Sequence, residues 1–187
     1  MKHEGQSVRT FHEGTAAAGC RQADYPRTQL AHAGVRILNQ HPQIAVSAAL
    51  FRGDDLLLIE RQKGQTLEGL LSFPGGRVGF GETLKQAVAR EVLEEVGLDL
   101  DESGLVFVTN HEAIYDDFHF VIVVFAAEIG VDSEPVAGSD AAAVTFIHRN
   151  LVEGLEENGR TTPKLAPISQ QASNLLRQKH SSVENAS

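Results

Sequence analysis

Three glutamates crowd one end of a predicted helix, where simple electrostatics disfavours them. The helix is predicted over Thr83–Val96, and Gly97 can supply the left-handed residue that ends it. Glu91 faces both Glu94 and Glu95, because residues three and four apart share a helix face, and like charges at that spacing repel. The negative end of the helix dipole adds to the repulsion. A divalent cation such as Mg²⁺ or Mn²⁺ would remove both conflicts, since it prefers hard carboxylate oxygens.

The face of the helix on which these carboxylates lie adds a third conflict. At about 100° per residue, Glu91 and Glu95 fall on the same side as Leu84 and Val88, which is the side expected to meet a sheet. The plainer alternative is a solvated charged helix in which basic residues such as Arg90 offer partial compensation. The helix by itself leaves both interpretations open.

A glycine-rich strand exit lies just upstream of this helix. The short apolar run Leu70–Phe73 ends in Pro74, Gly75 and Gly76. Glycine lets the backbone approach a ligand closely, so the Gly75 carbonyl is a candidate for a further oxygen ligand. Taken alone, the same three residues would also make an ordinary turn.

The composition limits the classes of protein to which the chain can belong. Its 187 residues, 42% of them hydrophobic, suffice for one well-packed domain. A formal charge of −9 disfavours a nucleic-acid-binding surface, so we expect no duplex partner. A single cysteine, Cys20, excludes an intramolecular disulfide and fits a reducing, cytoplasmic setting. No apolar window is long enough to span a membrane, and we expect no membrane partner.

The pattern of the elements predicts an α/β fold with a mixed sheet and helices packed on it. Residues 1–41 show no apolar periodicity and are expected to be poorly ordered or loosely docked, residues 42–180 to form the domain, and residues 181–187 to form a tail. Asn150 with Glu153 resembles a capping box, and Pro163 precedes an amphipathic closing helix. The other strands are predicted at Ile44–Phe51, Leu56–Ile59, Leu105–Ile114, Phe118–Ala127 and Ala142–Ile147.

The region from Gly76 to Leu98 resembles the full Nudix box, G-x5-E-x7-R-E-U-x-E-E-x-G-U with U an aliphatic residue. Nine specified positions at fixed spacing are a specific signal, unlike a lone glycine motif. The Pro-Gly-Gly before the box and the later strand His119–Glu128 are similar to the ADP-ribose pyrophosphatase branch of this superfamily. The matching positions are Gly76, Glu82, Arg90, Glu91, Val92, Glu94, Glu95, Gly97 and Leu98.

The resemblance implies a fold, an activity and a role for each matching residue. The fold would be an α/β/α sandwich that carries the box as a loop, a helix and a loop. The activity would be Mg²⁺-dependent hydrolysis, with Mn²⁺ as a substitute. Glu91, Arg90 and Glu94 would form the catalytic set, and Glu91, Glu94, Glu95 and the Gly75 carbonyl would bind the metal. Gly76, Glu82 and Gly97 would be structural.

The substrate implied by the resemblance is a small nucleoside diphosphate linked to another moiety, most simply ADP-ribose or a relative. Alternatives are a dinucleoside polyphosphate, a nucleoside triphosphate, or a non-catalytic sensor of nucleotide sugars. Arg61 and Arg77 could pair with phosphate oxygens, and Tyr115 could stack on a base, although each could equally be an ordinary surface or strand-end residue. A homodimer is left open. Candidates for a general base are Glu112, Asp116, Asp117, Glu134 and Asp140.

Overall fold

The computed structural model describes residues 41–116, 118–138 and 141–184, and these form a seven-stranded sheet with helices on both of its faces. The segment predicted to be loosely docked therefore lies outside the described residues, apart from His41. The strands are β1 (Gln43–Arg52), β2 (Asp55–Arg61), β3 (Leu71–Ser72), β4 (Gly75–Arg77), β5 (Val106–Tyr115), β6 (Phe118–Glu128) and β7 (Ala141–His148).

The sheet is mixed, as the sequence predicted. Its strand order is β3-β2-β1-β6-β5, with β4 paired to β1 and β7 paired to β2. β1 and β6 run parallel, and every other pair of described strands is antiparallel. β1 and β2 form a hairpin, in which Arg52 pairs with Asp55 and Gly53 takes the left-handed conformation with φ of 60°.

Each face of the sheet is covered by one long helix, which gives three layers. Alternation along β1 divides its apolar side chains between the two cores: Val46 and Leu50 pack with helix α1 (Leu84–Val96), whereas Ala49 and Phe51 pack with helix α3 (Leu165–Glu184). A short helix α2 (Val152–Glu157) follows β7. Within the described residues, no helix combines the length and apolarity that crossing a membrane requires.

Two details near the chain's end differ from the sequence prediction. The capping box at Asn150 is wrong, because a short 3-10 turn occupies Arg149–Leu151 and α2 begins at Val152 without a side-chain cap. The closing helix predicted after Pro163 is present as α3, and the left-handed Lys164, with φ of 68°, lies between Pro163 and this helix. Helix α3 continues to Glu184, so the predicted tail begins as helix.

Burial varies along β6 and along α1, and one prediction about it needs correction. In β6, the second half, Val124–Ala127, is fully buried. Leu84 was expected to face the sheet, yet it is 36% exposed because it lies in the first turn of α1, before the helix reaches the core. Val88 and Glu95 do face the sheet, with 1% and 7% of their surface exposed.

Candidate active site

Both ends of helix α1 are fixed by local hydrogen bonds. At its start, Thr83 Oγ1 accepts the amide of Gln86 at 3.2 Å, while Gln86 Oε1 accepts the amide of Thr83 at 2.9 Å. At its end, Gly97 has φ of 68° and donates its amide to the carbonyl of Leu93 at 3.0 Å, in the left-handed conformation predicted for it. The helix therefore ends directly after the three glutamates and holds them at one place.

A single arginine side chain lies among the acidic residues. Arg90 donates from Nη1 to Glu91 Oε1 at 2.8 Å and to Glu94 Oε2 at 3.1 Å, so two carboxylates lie close to the same nitrogen atom. Its Nη2 and Nε donate to the two oxygens of Glu82 at 2.8 and 3.2 Å, and Nη2 also donates to the carbonyl of Arg77 at 3.0 Å. Arg90 thus joins the helix to the loop that precedes it.

Glu82 closes this loop. One of its oxygens accepts the amide of Gly79, and the other contacts of the carboxylate are those from Arg90. The hydrogen bonds from Arg90, and then that from Gly79, hold the pKa of Glu82 below its usual value. The same contacts raise the pKa of Arg90, with Glu82 as the largest cause. Both groups are therefore charged at neutral pH.

Glu91 is packed against the backbone of the glycine segment. Its side chain is 14% exposed, and burial is the main reason why its pKa is raised, with Arg90 opposing the shift. A Cβ atom at Gly76 would collide with the Glu91 carboxylate, so a larger residue there would displace this carboxylate. The position of Gly76 in the motif is thus explained by the space that one carboxylate needs.

Glu95 is held by the neighbouring glycine. The amide of Gly75 donates to Glu95 Oε2 at 2.7 Å. The pKa of Arg61 is lowered because its side chain is half-buried, and the negative charge of Glu95 partly opposes this shift. The two glycines of β4 therefore each contact a different glutamate of α1.

The loop between β6 and β7 fastens the end of α1 from the other side. The amides of Val136 and Gly138 donate to the carbonyls of Val96 and Glu95 at 3.0 and 2.8 Å. These bonds satisfy carbonyls that a helix end leaves open. The backbone at Gly138 lies so close to the Glu94 carbonyl that a Cβ atom would have no room.

A cavity of about 600 Å³ lies on the other side of the glycine segment. Gly75 and Gly76 line it, and so do all three residues that the sequence singled out for substrate binding, Arg61, Arg77 and Tyr115. The side chains of the three glutamates of α1 do not line this cavity. The structure therefore brings the predicted site residues together in two adjoining groups that share two glycines.

Aromatic rings form one wall of the cavity. The rings of Tyr115 and Phe118 are stacked with centroids 4.7 Å apart, and Phe120 follows at 5.5 Å. The guanidinium of Arg77 lies 5.6 Å from the centroid of Phe120. We call Tyr115, Phe118 and Phe120 the aromatic wall. Such a surface suits the flat face of a nucleobase.

Several further polar residues that line the cavity were not identified from the sequence, among them Ser72, His111 and Lys164. His111 could have been found, because the two-residue period of a strand places it on the same face of β5 as Tyr115. Ser72 gives no such signal in a two-residue strand, and Lys164 reaches the cavity only through the packing of α3.

The structure does not choose a general base. Glu112 lines the cavity, and its Oε1 atom lies 3.5 Å from Nε2 of His119. Asp116 occupies the exposed turn after β5, and Glu134 is exposed in the loop before β7. Asp117 and Asp140 lie outside the described residues. Within the described parts of the chain, no three acidic, histidine or cysteine side chains are arranged to hold a metal ion. The carboxylates of Glu91 and Glu94 accept hydrogen bonds from Arg90 instead.

Comparisons with known proteins agree with this geometry. A family model described as the NUDIX domain matches residues 41–166. An ADP-ribose pyrophosphatase of Methanocaldococcus jannaschii is 34% identical over 59% of this chain and 64% of its own length. An 8-oxo-dGTP diphosphatase of Haemophilus influenzae is 35% identical over 41% of this chain and 52% of its own. The matches thus span less than two thirds of each of these relatives.

Solved structures share the fold. The MutT protein from Methanosarcina mazei superposes with a TM-score of 0.62 at 20% identity, over 72% of this chain and 96% of that one. At this identity, the likeness concerns the fold, which is the three-layer sandwich described above.

Proposed function

We infer the activity from one premise, that the chain belongs to the Nudix family of hydrolases. We propose that it is a Mg²⁺-dependent hydrolase that cleaves the pyrophosphate bond of a nucleoside diphosphate linked to another moiety. The substrate we propose is ADP-ribose or a close relative. Mn²⁺ would substitute for Mg²⁺, because both are hard cations that accept carboxylate oxygens.

The residues at the end of α1 fit a divalent cation by their chemistry. Glu91, Glu94 and Glu95 provide carboxylate oxygens within one helical turn, and Arg90 is the cation that Glu91 and Glu94 share in the structure. The absence of a side chain at Gly76 leaves room for the Glu91 carboxylate beside the backbone. We assign Glu91, Glu94 and Glu95 as ligands, with the Gly75 carbonyl as a further candidate. When bound, the ion would neutralise phosphate charge and activate water.

The other residues of this region position the acidic side chains. Arg90 holds Glu82, Glu91 and Glu94 in one arrangement, and Glu82 fixes the loop through Gly79. We propose that Arg90 is a positioning residue. Its five donors suit this purpose, because a guanidinium can bind several carboxylates in a fixed geometry.

One observation carries the proposal: the segment Gly75–Gly76 contacts the acidic helix on one side and lines the cavity on the other. A pyrophosphate lying against these glycines would be next to the carboxylates and within the cavity at the same time. Arg61 and Arg77, which line the cavity, would pair with its oxygens. Tyr115 and the rest of the aromatic wall would hold the base.

A second candidate is hydrolysis of a nucleoside triphosphate, which the similarity to an 8-oxo-dGTP diphosphatase favours. A dinucleoside polyphosphate is a third substrate type that the cavity could hold. A non-catalytic sensor is the remaining alternative, and the complete set of box carboxylates speaks against it.

The test is a panel of substrates assayed with excess Mg²⁺ and with product identification. It should contain ADP-ribose, NADH, a nucleotide sugar, diadenosine polyphosphates and nucleoside triphosphates. The proposal expects cleavage of ADP-ribose to AMP and ribose 5-phosphate at the highest kcat/KM. A preference for triphosphates of at least tenfold would favour the second candidate, and no cleavage of any compound would contradict a hydrolase.

A further inference from the structure

Two residues that line the cavity each carry a buried polar atom without a hydrogen-bond partner among the described residues. Ser72, of which 5% is exposed, has an unpartnered Oγ on β3, and His111 has an unpartnered Nδ1 on β5. An unsatisfied polar atom of this kind destabilises a fold, so it is rare unless something else supplies the missing bond. A ligand in the cavity would supply it.

These two atoms belong to opposite edges of the sheet. The strand order places β3 at one edge and β5 at the other, with β1 and its partner β4 between them. A row of paired residues runs from Arg77 through Ala45 and Ile122 to His111, and all four line the cavity. Three strand spacings of about 4.8 Å separate the two ends of this row by about 14 Å. The cavity therefore extends across the sheet on both sides of the glycine segment.

Lys164 adds a positive charge at the His111 end. It has φ of 68°, a conformation that is unfavourable for a lysine, and Glu156 holds it there by accepting the amides of Lys164 and Ala166 at 2.7 and 2.5 Å. The residue lines the cavity and makes no ion pair within the described part of the chain. Burial and then the charge of Lys164 lower the pKa of His111, and both residues line the cavity.

The position of the aromatic wall decides which half of the substrate belongs at this end. His111 and Tyr115 lie on the same face of β5, and Tyr115 stacks on Phe118. A nucleobase on these rings would lie next to His111 and Lys164. The opposite end, at Ser72 and the half-buried Arg61, is left for the group on the far side of the pyrophosphate.

We propose that the cavity has two specificity-determining subsites: Lys164 with His111 contacts the nucleoside half of the substrate, and Ser72 contacts the second moiety. Lys164 can only donate, so it requires an acceptor on the base or ribose, whereas the hydroxyl of Ser72 can donate to or accept from a sugar hydroxyl. This assignment deepens the proposed function and rests on it. It explains why polar atoms on both sides of the glycine segment have no hydrogen-bond partner among the described residues.

The two halves of the proposed substrate can be tested separately, without metal and without turnover. Binding of AMP and of ribose 5-phosphate would be measured by calorimetry for the wild type, Lys164→Met, Ser72→Ala and the control Lys179→Met, which changes a lysine within α3. We expect Lys164→Met to weaken the binding of AMP about 10- to 100-fold and Ser72→Ala to weaken the binding of ribose 5-phosphate about 3- to 10-fold. Each variant should bind the other compound with a dissociation constant within about twofold of the wild-type value.

Ser72→Ala removes no hydrogen bond among the described residues, so its melting temperature should match that of the wild type. A subsite is overturned if its variant weakens the binding of AMP and of ribose 5-phosphate equally. It is also overturned if its variant binds the compound assigned to that subsite as the wild type does. Failure of the wild type to bind either compound at millimolar concentration overturns the inference as a whole. The predicted binding pattern without any hydrolysis in the substrate panel would retain the subsites and refute the hydrolase.

Discussion

The amide of Gly75 donates a hydrogen bond of 2.7 Å to Oε2 of Glu95, and this bond joins strand β4 to the last turn of helix α1. It connects residues twenty positions apart in the chain. Gly76 is fitted to Glu91 in the same way, by lacking the Cβ atom that would meet that carboxylate. The two glycines therefore contribute, together with the helix, to the position of the acidic groups.

Glu91→Gln should abolish most of the activity and leave the fold intact. The amide has the same shape but lacks the charge that we assign to metal binding, so we expect turnover to fall by at least about 100-fold. The matched control is Glu153→Gln, which changes an exposed glutamate of α2. Circular dichroism and a Mg²⁺-dependent assay would measure both effects. Wild-type turnover in the variant would disprove the role of Glu91.

Gly76→Ala should disturb the site through a steric clash. The added methyl group would meet the Glu91 carboxylate, which must then move away from the glycine segment. We expect a fall in turnover of about tenfold or more together with weaker Mg²⁺ dependence. Gly154→Ala is the control, because its Cβ has open space and alanine favours helix α2. Equal activity of the two variants would contradict this account of Gly76.

Gly138→Ala should act on the same site from a distance. Its Cβ would meet the carbonyl of Glu94, so the loop must release the end of α1 or the last turn must shift. We expect a lower melting temperature and, at temperatures where the variant is folded, slower turnover. Hydrogen exchange at the amides of Val136 and residue 138 would report the released loop directly. Unchanged exchange and unchanged turnover would show that this loop does not position the glutamates.

Protonation of His111 should reduce stability at acidic pH. Its pKa lies below the ordinary value of 6.5 in the folded state, so the unfolded chain binds the proton first as the pH falls. The stability that neutral His111 contributes is present above pH 6.5 and is lost as the pH drops from there through the folded pKa. His111→Gln should therefore show a shallower loss of unfolding free energy between about pH 7.5 and 5. His41→Gln, at an exposed position, is the control, and parallel curves for wild type and His111→Gln would reject the assignment.

The general fold followed from the sequence because its signals are local and periodic. Alternation and apolar runs located the main strands, and Gly53 and Gly97 marked turns that require a left-handed residue. The end of the chain was less predictable. Asn150 carries a capping side chain, but His148 accepts the Asn150 amide instead at 3.3 Å, and the helix starts later.

The site was predictable where spacing along one helix defines it and less so where distant elements meet. Glu91 and Glu95 could be assigned to one face from the helical period alone. The contacts of Arg90 with Glu82 and with the Arg77 carbonyl depend on the path of the intervening loop. The end of the cavity at Lys164 depends on tertiary packing between α3 and the sheet, for which the sequence carries no periodic signal.

The central claim is that the glutamates at the end of α1 hold the divalent ion on which hydrolysis depends. Calorimetric titration of Mg²⁺, in the presence of a non-hydrolysable ADP-ribose analogue, tests it most directly when wild type is compared with the double variant Glu91→Gln/Glu94→Gln. We predict saturable binding at up to millimolar Mg²⁺ in the wild type and its loss in the double variant. Equal Mg²⁺ binding by the two proteins, or none by the wild type, would contradict the account.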